Sequence, residues 1–269
     1  MEDGSLGEER GVESGSIRVT ETPLVVFVLR RADDALILGH RLSEWCGVAP
    51  TMEEDMALAN MGLDLIGQAR ALYAYASEAE AMGHDEDAFA YRRDERAYRN
   101  LLMAEQPNGD FAKTMARQFL YAAFAYPYWR AMMGSADASL AAIAAKAEKE
   151  MAYHVRHCAE WLVRLGDGTP ESHARTAGAI EELWPLTGEL FEVDDIERGI
   201  IAEGIGVDPE TLRAGWRAAV AEVLEKATLK SPADGWMQKG GRDGRHSEHL
   251  GHLLAELQYV QRTIPGANW

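Results

Sequence analysis

The stretch Lys149–Trp161, KEMAYHVRHCAEW, lies inside a long run with helical periodicity and decides which kind of helical protein this is. At about 100° per residue, Glu150, His154, His157 and Trp161 fall along one stripe of a helix. Carboxylates and imidazoles in register are side chains that bind metal ions. The stretch is therefore a working metal site, the remains of one, or a polar patch in a helix bundle.

The composition limits the classes of protein to which the chain can belong. It has 269 residues, 47% of them hydrophobic, and a net charge of −17 from 27 Lys and Arg against 44 Asp and Glu. This charge argues against a broad surface for nucleic acid or anionic membrane, but not against a local basic pocket. Cys46 and Cys158 have no zinc-type spacing and indicate free thiols in a reducing compartment. With no signal-peptide pattern and no long apolar run, we expect a cytoplasmic protein.

Helical periodicity extends over almost the whole chain, whereas strand-like composition is confined to two short stretches. We predict a disordered acidic leader over residues 1–22 and a single all-α domain over 23–269, built as a helical bundle. The helices over 50–82 and 138–165 are expected to be long and central. Pro127 is expected to bend another helix, over 111–134.

The helix over 50–82 has an apolar face and a second face with small and polar residues. Asn60 and Asp64 lie on this second face, opposite Leu58 and Leu65. We expect both faces to be buried, so that Asn60 and Asp64 are internal groups hydrogen-bonded to neighbouring helices. The alternative is that Asp64 is a metal ligand.

A bundle with interior carboxylates and histidines suggests a di-iron protein, which takes one Glu from each of two helices and Glu-x-x-His from each of two others. No Glu-x-x-His occurs in this sequence, and the helix over 111–134 has no interior carboxylate. The opening stretch offers Glu150-x-x-Tyr153 with His154 next to it. Tyr153 is placed to hydrogen-bond to Glu150, and His154 to pair with it at i, i+4. We expect a structural polar cluster, with a mononuclear or accessory metal site as the alternative.

Four long blocks then indicate a family. They are LSEWCGVAPTMEEDMALANMGLDLIGQARALYAYA (42–76), YRRDERAYRNLLMAEQPNGDFAKTMARQFL (91–120), KEMAYHVRHCAEWLVRLGDGTPES (149–172) and GRDGRHSEHLGHLLAELQYVQRTIPGANW (241–269). Together they resemble the PaaC-type subunits of bacterial phenylacetyl-CoA epoxidases, which are multicomponent monooxygenases. The resemblance extends from about residue 23 to the last residue.

The resemblance implies a ferritin-like helical bundle with additional helices. In that family the complex inserts one oxygen atom into the ring of phenylacetyl-CoA, and a paralogous subunit holds the di-iron centre. The PaaC-type subunit is non-catalytic, binds no cofactor and supports the catalytic subunit. By helix order, the places of the metal ligands hold Glu44, Asp64 with Gly67, and Glu150 with Tyr153. We therefore expect a degenerate site made of Glu44, Asp64, Glu150, Tyr153 and His154, and homo-oligomers when the chain is alone.

Two charged stretches have other expected roles. The alternating charges of YRRDERAYRN (91–100) predict a helix surface whose charges pair with one another, with an interface as the second choice. In MQKGGRDGRHSEHLG (237–251), Lys239, Arg242 and Arg245 precede a helix, an arrangement that suits a phosphate. We expect these three side chains to lie in a solvated loop, to contact the partner, or to contact the CoA group.

Two other functions stay open beside the non-catalytic subunit. One is an independent ferritin-like enzyme that binds its own metal through an atypical ligand set. The other is a ferritin-like storage or scaffold protein without a catalytic partner. Bound iron in the purified chain would favour the first of these, whereas a stable complex with a second ferritin-like chain would favour the subunit.

Overall fold

The computed structural model describes residues 15–264, and every regular element in that range is helical. The α-helices in this range, numbered α1 to α11 in chain order, are Pro23–Ser43, Met52–Glu80, Glu86–Tyr91, Leu102–Glu105, Phe111–Met132, Ala138–Gly166, Pro170–Leu183, Asp195–Ala202, Arg213–Lys226, Glu248–Leu257 and Tyr259–Thr263. Short 3₁₀ segments occupy Glu95–Ala97, Trp184–Phe191, Pro209–Leu212 and Gly241–Asp243. No helix in the described range is both long and apolar enough to cross a membrane.

Four long helices form the bundle, in two closely packed pairs. Helix α1 packs along α2, helix α5 packs along α6, and α2 contacts α6 across the pairs. The shorter helices cover this bundle, with α8 against α1, and with α7 and α9 against α5 and α6. The predicted ferritin-like bundle with additional helices is confirmed.

The most deeply buried helices are α1 and α5 rather than the two that the sequence suggested. Residues 114–125 of α5 are all buried, whereas α6 buries one stripe that runs from Leu140 to Gly166. Helix α2 also has an open side, because Asn60 is exposed and Asp64 is only half-buried. The expectation that α2 is buried on both faces was therefore wrong, since α6 covers only part of its second face.

The α1–α2 pair is held at very short range by two glycines, which we call the glycine seam. A Cβ atom placed on Gly39 would lie 2.9 Å from Ile66 Cγ1 and 3.2 Å from the carbonyl oxygen of Gly62. One placed on Gly62 would lie 3.1 Å from Ser43 Oγ and 3.3 Å from the carbonyl oxygen of Gly39. The two backbones are therefore in direct contact, which only residues without a side chain permit.

Two stretches outside the long helices, the N-terminal segment and residues 91–100, differ from the sequence-based expectation. Of the predicted leader, residues 1–14 lie outside the described residues. Farther along, Ile17 N–H donates to the carbonyl of Arg92, and Thr20 N–H donates to Glu80 over 2.7 Å. The predicted helix surface over 91–100 was wrong, because α3 ends at Tyr91, only Glu95–Ala97 form a 3₁₀ turn beyond it, and Arg93 is fully buried.

Candidate functional site

His154 lies fully buried where α2, α5 and α6 meet. Its Nδ1 is 3.0 Å from Gln118 Nε2, and its Nε2 is 3.2 Å from Asp64 Oδ2. With the amide oriented so that its N–H donates to Nδ1, the ring donates its Nε2–H to Asp64. Both ring nitrogens are occupied by protein groups, so neither offers a free lone pair to a metal ion.

Glu150 lies one turn before His154 on α6 and finds its partner on another helix. Gln68 Nε2 donates to Glu150 over 2.8 Å, and Lys146 Nζ lies 3.5 Å from the other carboxylate oxygen. The expected contacts of Glu150 with Tyr153 and with His154 are not formed. Both were wrong, because partners across the bundle satisfy Glu150 and His154 separately.

Tyr153 and His157 form the edge of the site, toward the start of α2. His157 Nε2 lies 2.9 Å from Glu54 Oε2. The ring of Tyr153 is tilted by 31° against that of His157, with 5.6 Å between the ring centres. Burial, aided by the negative charge of Glu54, raises the pKa of the Tyr153 phenol. Tyr153 is therefore a neutral group that packs beside the histidine.

We call Asp64, Gln68, Gln118, Glu150 and His154 the amide–imidazole cluster. Two of its oxygens, Gln68 Oε1 and Gln118 Oε1, are buried without a hydrogen-bond partner. Among residues 15–264, no group of three or more His, Cys, Asp or Glu side chains is placed to hold a metal ion. Di-iron centres of ferritin-like proteins are built from six carboxylate and imidazole ligands. The donor set of this cluster, with two neutral amides and an occupied imidazole, does not fit such a pair of irons.

Glu44 does not join this cluster, and its assignment to a ligand place was wrong. Helix α1 ends at Ser43, so Glu44 caps the end of the bundle with its side chain 42% exposed. Its carboxylate lies 2.7 Å from Arg41 Nη1 and accepts from Asn108 Nδ2 over 2.8 Å. The structure thus pairs His154 with Asp64 and Glu150 with Gln68, sets Tyr153 beside His157, and leaves Glu44 outside.

A second polar region, which the sequence analysis missed, begins at Asp33 in the middle of α1. Asp33 and Arg93 form an ion pair in which both side chains are fully buried. Tyr73 O–H donates to the same carboxylate over 2.6 Å, and the backbone N–H of Arg99 donates over 2.7 Å. The signal was present in RRADD (30–34), two arginines and two aspartates within an otherwise apolar helix. Charges in such a place need buried partners.

The next residue, Asp34, binds the glycine-rich turn of the C-terminal part. Arg242 Nη2 lies 2.8 Å from Asp34 Oδ2, and the backbone N–H of Leu101 donates to Asp34 over 2.7 Å. Arg242 is thus an interior side chain and not a cation of a solvated loop. Lys239 pairs with Glu192, and Arg245 pairs with Asp243 at the surface. Contact of Lys239 and Arg245 with a partner or with CoA stays a prediction.

Glu105 and His246 make a further buried pair on the same side of the molecule. His246 Nδ1 lies 2.8 Å from Glu105 Oε2, and both side chains have no exposed surface. The backbone N–H of Ser247 donates to the other carboxylate oxygen over 2.6 Å. Burial alone lowers the pKa of His246, but the hydrogen bond and the charge of Glu105 outweigh it, so the pKa is raised. We call the pairs Asp33–Arg93, Asp34–Arg242 and Glu105–His246 the ion-pair network.

Comparison with known proteins agrees with this architecture. Residues 13–269 match a family described as phenylacetic acid catabolic protein. Over 246 residues the chain is 50% identical to the C-type subunit of the 1,2-phenylacetyl-CoA epoxidase of Escherichia coli. This alignment covers 91% of the present chain and 99% of the E. coli protein. The matched range contains both polar regions and the glycine seam, and the chain belongs to the phenylacetic acid catabolic protein family.

Proposed function

We propose that this chain is a non-catalytic subunit of a phenylacetyl-CoA epoxidase in phenylacetate catabolism, where it pairs with a di-iron catalytic subunit and supports it. The relative from E. coli is named as one subunit of such an enzyme. Family membership and identity over nearly the whole chain support a role in the same catabolic process. Cys46 and Cys158 form no disulfide in the described part of the chain, which suits a reducing cytoplasm.

The amide–imidazole cluster is the observation that carries the non-catalytic role. In a ferritin-like bundle the metal pair sits between facing helices, on carboxylates and imidazoles that point inward. Here α5 contributes Gln118 to that interior, α2 contributes Gln68, and His154 has both ring nitrogens in hydrogen bonds. This interior supports packing between helices rather than oxygen chemistry.

An exposed apolar row on α2 supports pairing with another chain. Met52, Met56 and Leu63 lie on one side of this helix, with Val48 in the turn before it, and each is at least 60% exposed. We call these four residues the apolar row. Large apolar side chains in a continuous exposed row mark interaction surfaces. We assign the row to the catalytic subunit, because a stable interface between subunits buries apolar surface on a large scale, upward of about 2,000 Å².

Co-expression with the catalytic subunit, followed by size exclusion, tests the pairing. The double variant Met56→Lys with Leu63→Lys is expected to lose co-purification, because two buried charges would have no partner in the contact. Val260→Lys is the matched control, since it adds a charge at an exposed apolar residue outside the row. Equal co-purification of the double variant and the wild type would show that the row is not the contact.

Metal content and turnover test the non-catalytic role. We expect the isolated chain to carry little iron and the catalytic subunit to carry the di-iron centre. Monooxygenase turnover is expected to fall when this chain is left out of the complex. Two irons for each isolated chain would instead favour an independent ferritin-like enzyme with an atypical ligand set. Full coupled activity and solubility of the catalytic subunit alone would refute the supporting role.

A further inference from the structure

A half-open apolar groove lies between α5, α6 and α9, and its lining shares no residue with either polar region. Its volume is about 490 Å³, within the range of roughly 300–1,000 Å³ in which small ligands bind. One wall is formed by α5 and by Val155 of α6, and the other by α9. The lining residues used below are Ala123, Pro127, Gly215, Trp216, Ala219 and Glu222.

The groove stays open because one wall carries small side chains and is fixed in place. Gly215 and Ala219 stand one turn apart on α9, and a Cβ atom on Gly215 would meet nothing within 4 Å. Trp216 is buried, and its indole N–H donates to the carbonyl of Leu120 over 3.0 Å. This bond ties α9 to α5 beside the groove.

The α5 wall offers one backbone acceptor. Pro127 lies inside α5 and has no N–H, so the carbonyl of Ala123 lacks the hydrogen bond that the fourth residue along a helix normally donates. Ala123 and Pro127 are one turn apart and both line the groove. The turn of α5 that carries this carbonyl therefore forms part of the groove wall, and a donor there would replace the missing hydrogen bond.

The side chains around the groove also limit the charge that a ligand can carry. The described lining includes no Lys, Arg or His, and its one carboxylate, Glu222 at the exposed rim, is already paired with Lys226 Nζ over 2.6 Å. With no unpaired cation in this lining, the apolar walls would not replace the lost hydration of an anionic ligand. A carboxylate substrate or an acyl-CoA phosphate therefore does not suit this groove.

We propose that the groove binds a small neutral aromatic molecule that carries one hydrogen-bond donor, of the indole or phenol class. The ring packs between the α5 and α9 walls, and its N–H or O–H donates to the carbonyl of Ala123. This site is separate from the amide–imidazole cluster and does not depend on the proposed subunit role.

Indole and indene are the probes, because they share a ring size and shape but only indole has an N–H. Ligand-observed NMR titration of the full chain is expected to show saturable binding of both at one site. Indene should bind about three- to tenfold more weakly, because it leaves the carbonyl unpaired. Equal affinities, or no saturable binding of either probe, would overturn the proposal.

Two substitutions test whether the probes bind in this groove. Gly215→Leu fills the space between the walls and should abolish binding, whereas Gly178→Leu should leave it unchanged. Gly178 is the matched control, because it is also an exposed helical glycine with open space around its Cβ position. Both variants gain helix propensity, so both are expected to fold. Retained binding in Gly215→Leu would overturn the assignment.

Pro127→Ala tests the acceptor itself. The alanine supplies an N–H that donates a hydrogen bond to the Ala123 carbonyl. The affinity for indole should then fall to that for indene, while the affinity for indene changes little. A preserved preference for indole in this variant would contradict the role of the carbonyl. Loss of probe binding when the chain assembles with a partner subunit would also overturn the proposal, in favour of an aromatic side chain of that subunit.

Discussion

The two interior polar regions differ in how completely their groups are paired. In the ion-pair network, Asp33 and Arg93 are fully buried, and further donors reach the carboxylate. In the amide–imidazole cluster, two amide oxygens have no partner, and the side chain of Asp64 is 33% exposed. The cluster that contains the predicted degenerate metal site is thus the less completely paired of the two. Two ion pairs without any exposed side-chain surface, Asp33–Arg93 and Glu105–His246, lie in the ion-pair network.

The largest expected effect comes from breaking the network. Asp33→Asn leaves the Arg93 guanidinium buried without a counter-charge, so the free energy of unfolding should fall by about 3–5 kcal/mol. Urea denaturation followed by circular dichroism measures this change. Glu86→Gln is the control, because it breaks the exposed Arg70–Glu86 pair and should cost less than about 1 kcal/mol. Similar losses in both variants would erase the contrast between buried and exposed pairs.

A smaller effect is expected from pH, through His246. Because the folded protein raises the pKa of His246, the charged ring stabilises the fold most fully below the ordinary His pKa of about 6.5. This contribution is lost as the pH rises through the raised folded value. His246→Gln should remove that part of the pH dependence and cost about 1–3 kcal/mol at low pH, because Glu105 stays buried. Unfolding curves between mildly acidic and alkaline pH check the sign, and parallel profiles for variant and wild type would contradict it.

The smallest effect is expected in the amide–imidazole cluster. Glu150→Ala removes the acceptor of Gln68, so unfolding should become easier by about 1 kcal/mol, with no loss of turnover in the assembled complex. Asn60→Ala, at an exposed position of α2, should change the free energy by less than about 0.5 kcal/mol. A large loss of turnover in Glu150→Ala, with the fold intact, would instead assign chemistry to the cluster.

Much of the fold was visible in local sequence because helical periodicity is a local property. The long helices α2 and α6 were predicted within two residues at each end, over 50–82 and 138–165. The stretch 91–100 also had helical composition, yet it is largely irregular. There the side chain of Arg93 pairs in the bundle interior with Asp33, which lies 60 positions earlier. Local propensity yields when a buried charge needs a distant partner.

The candidate site was predictable in its members but not in its pairing. Spacing alone placed Glu150 and His154 on one stripe of α6, and both do reach the bundle interior. Their partners come from α2 and α5, which no spacing within α6 reveals. Glu44 was misplaced because helix order does not fix where a helix ends. Arg242 was expected in a solvated loop or at a contact with a partner or CoA, because the local sequence does not show that its partner Asp34 lies 208 positions earlier.

The glycine seam makes α2 a lever with unequal arms. From Gly62 the helix extends about 15 Å to Met52 and about 27 Å to Glu80, at 1.5 Å per residue. A methyl group at Gly39 would act as a wedge at the pivot and displace the long arm more than the short one. The attachment of Thr20 to Glu80, at the end of the long arm, would then be displaced most, and Met52, at the end of the short arm, less. Leu63 lies next to the pivot, so a change at the seam is expected to disturb the apolar row less than the end of the helix that holds the N-terminal segment.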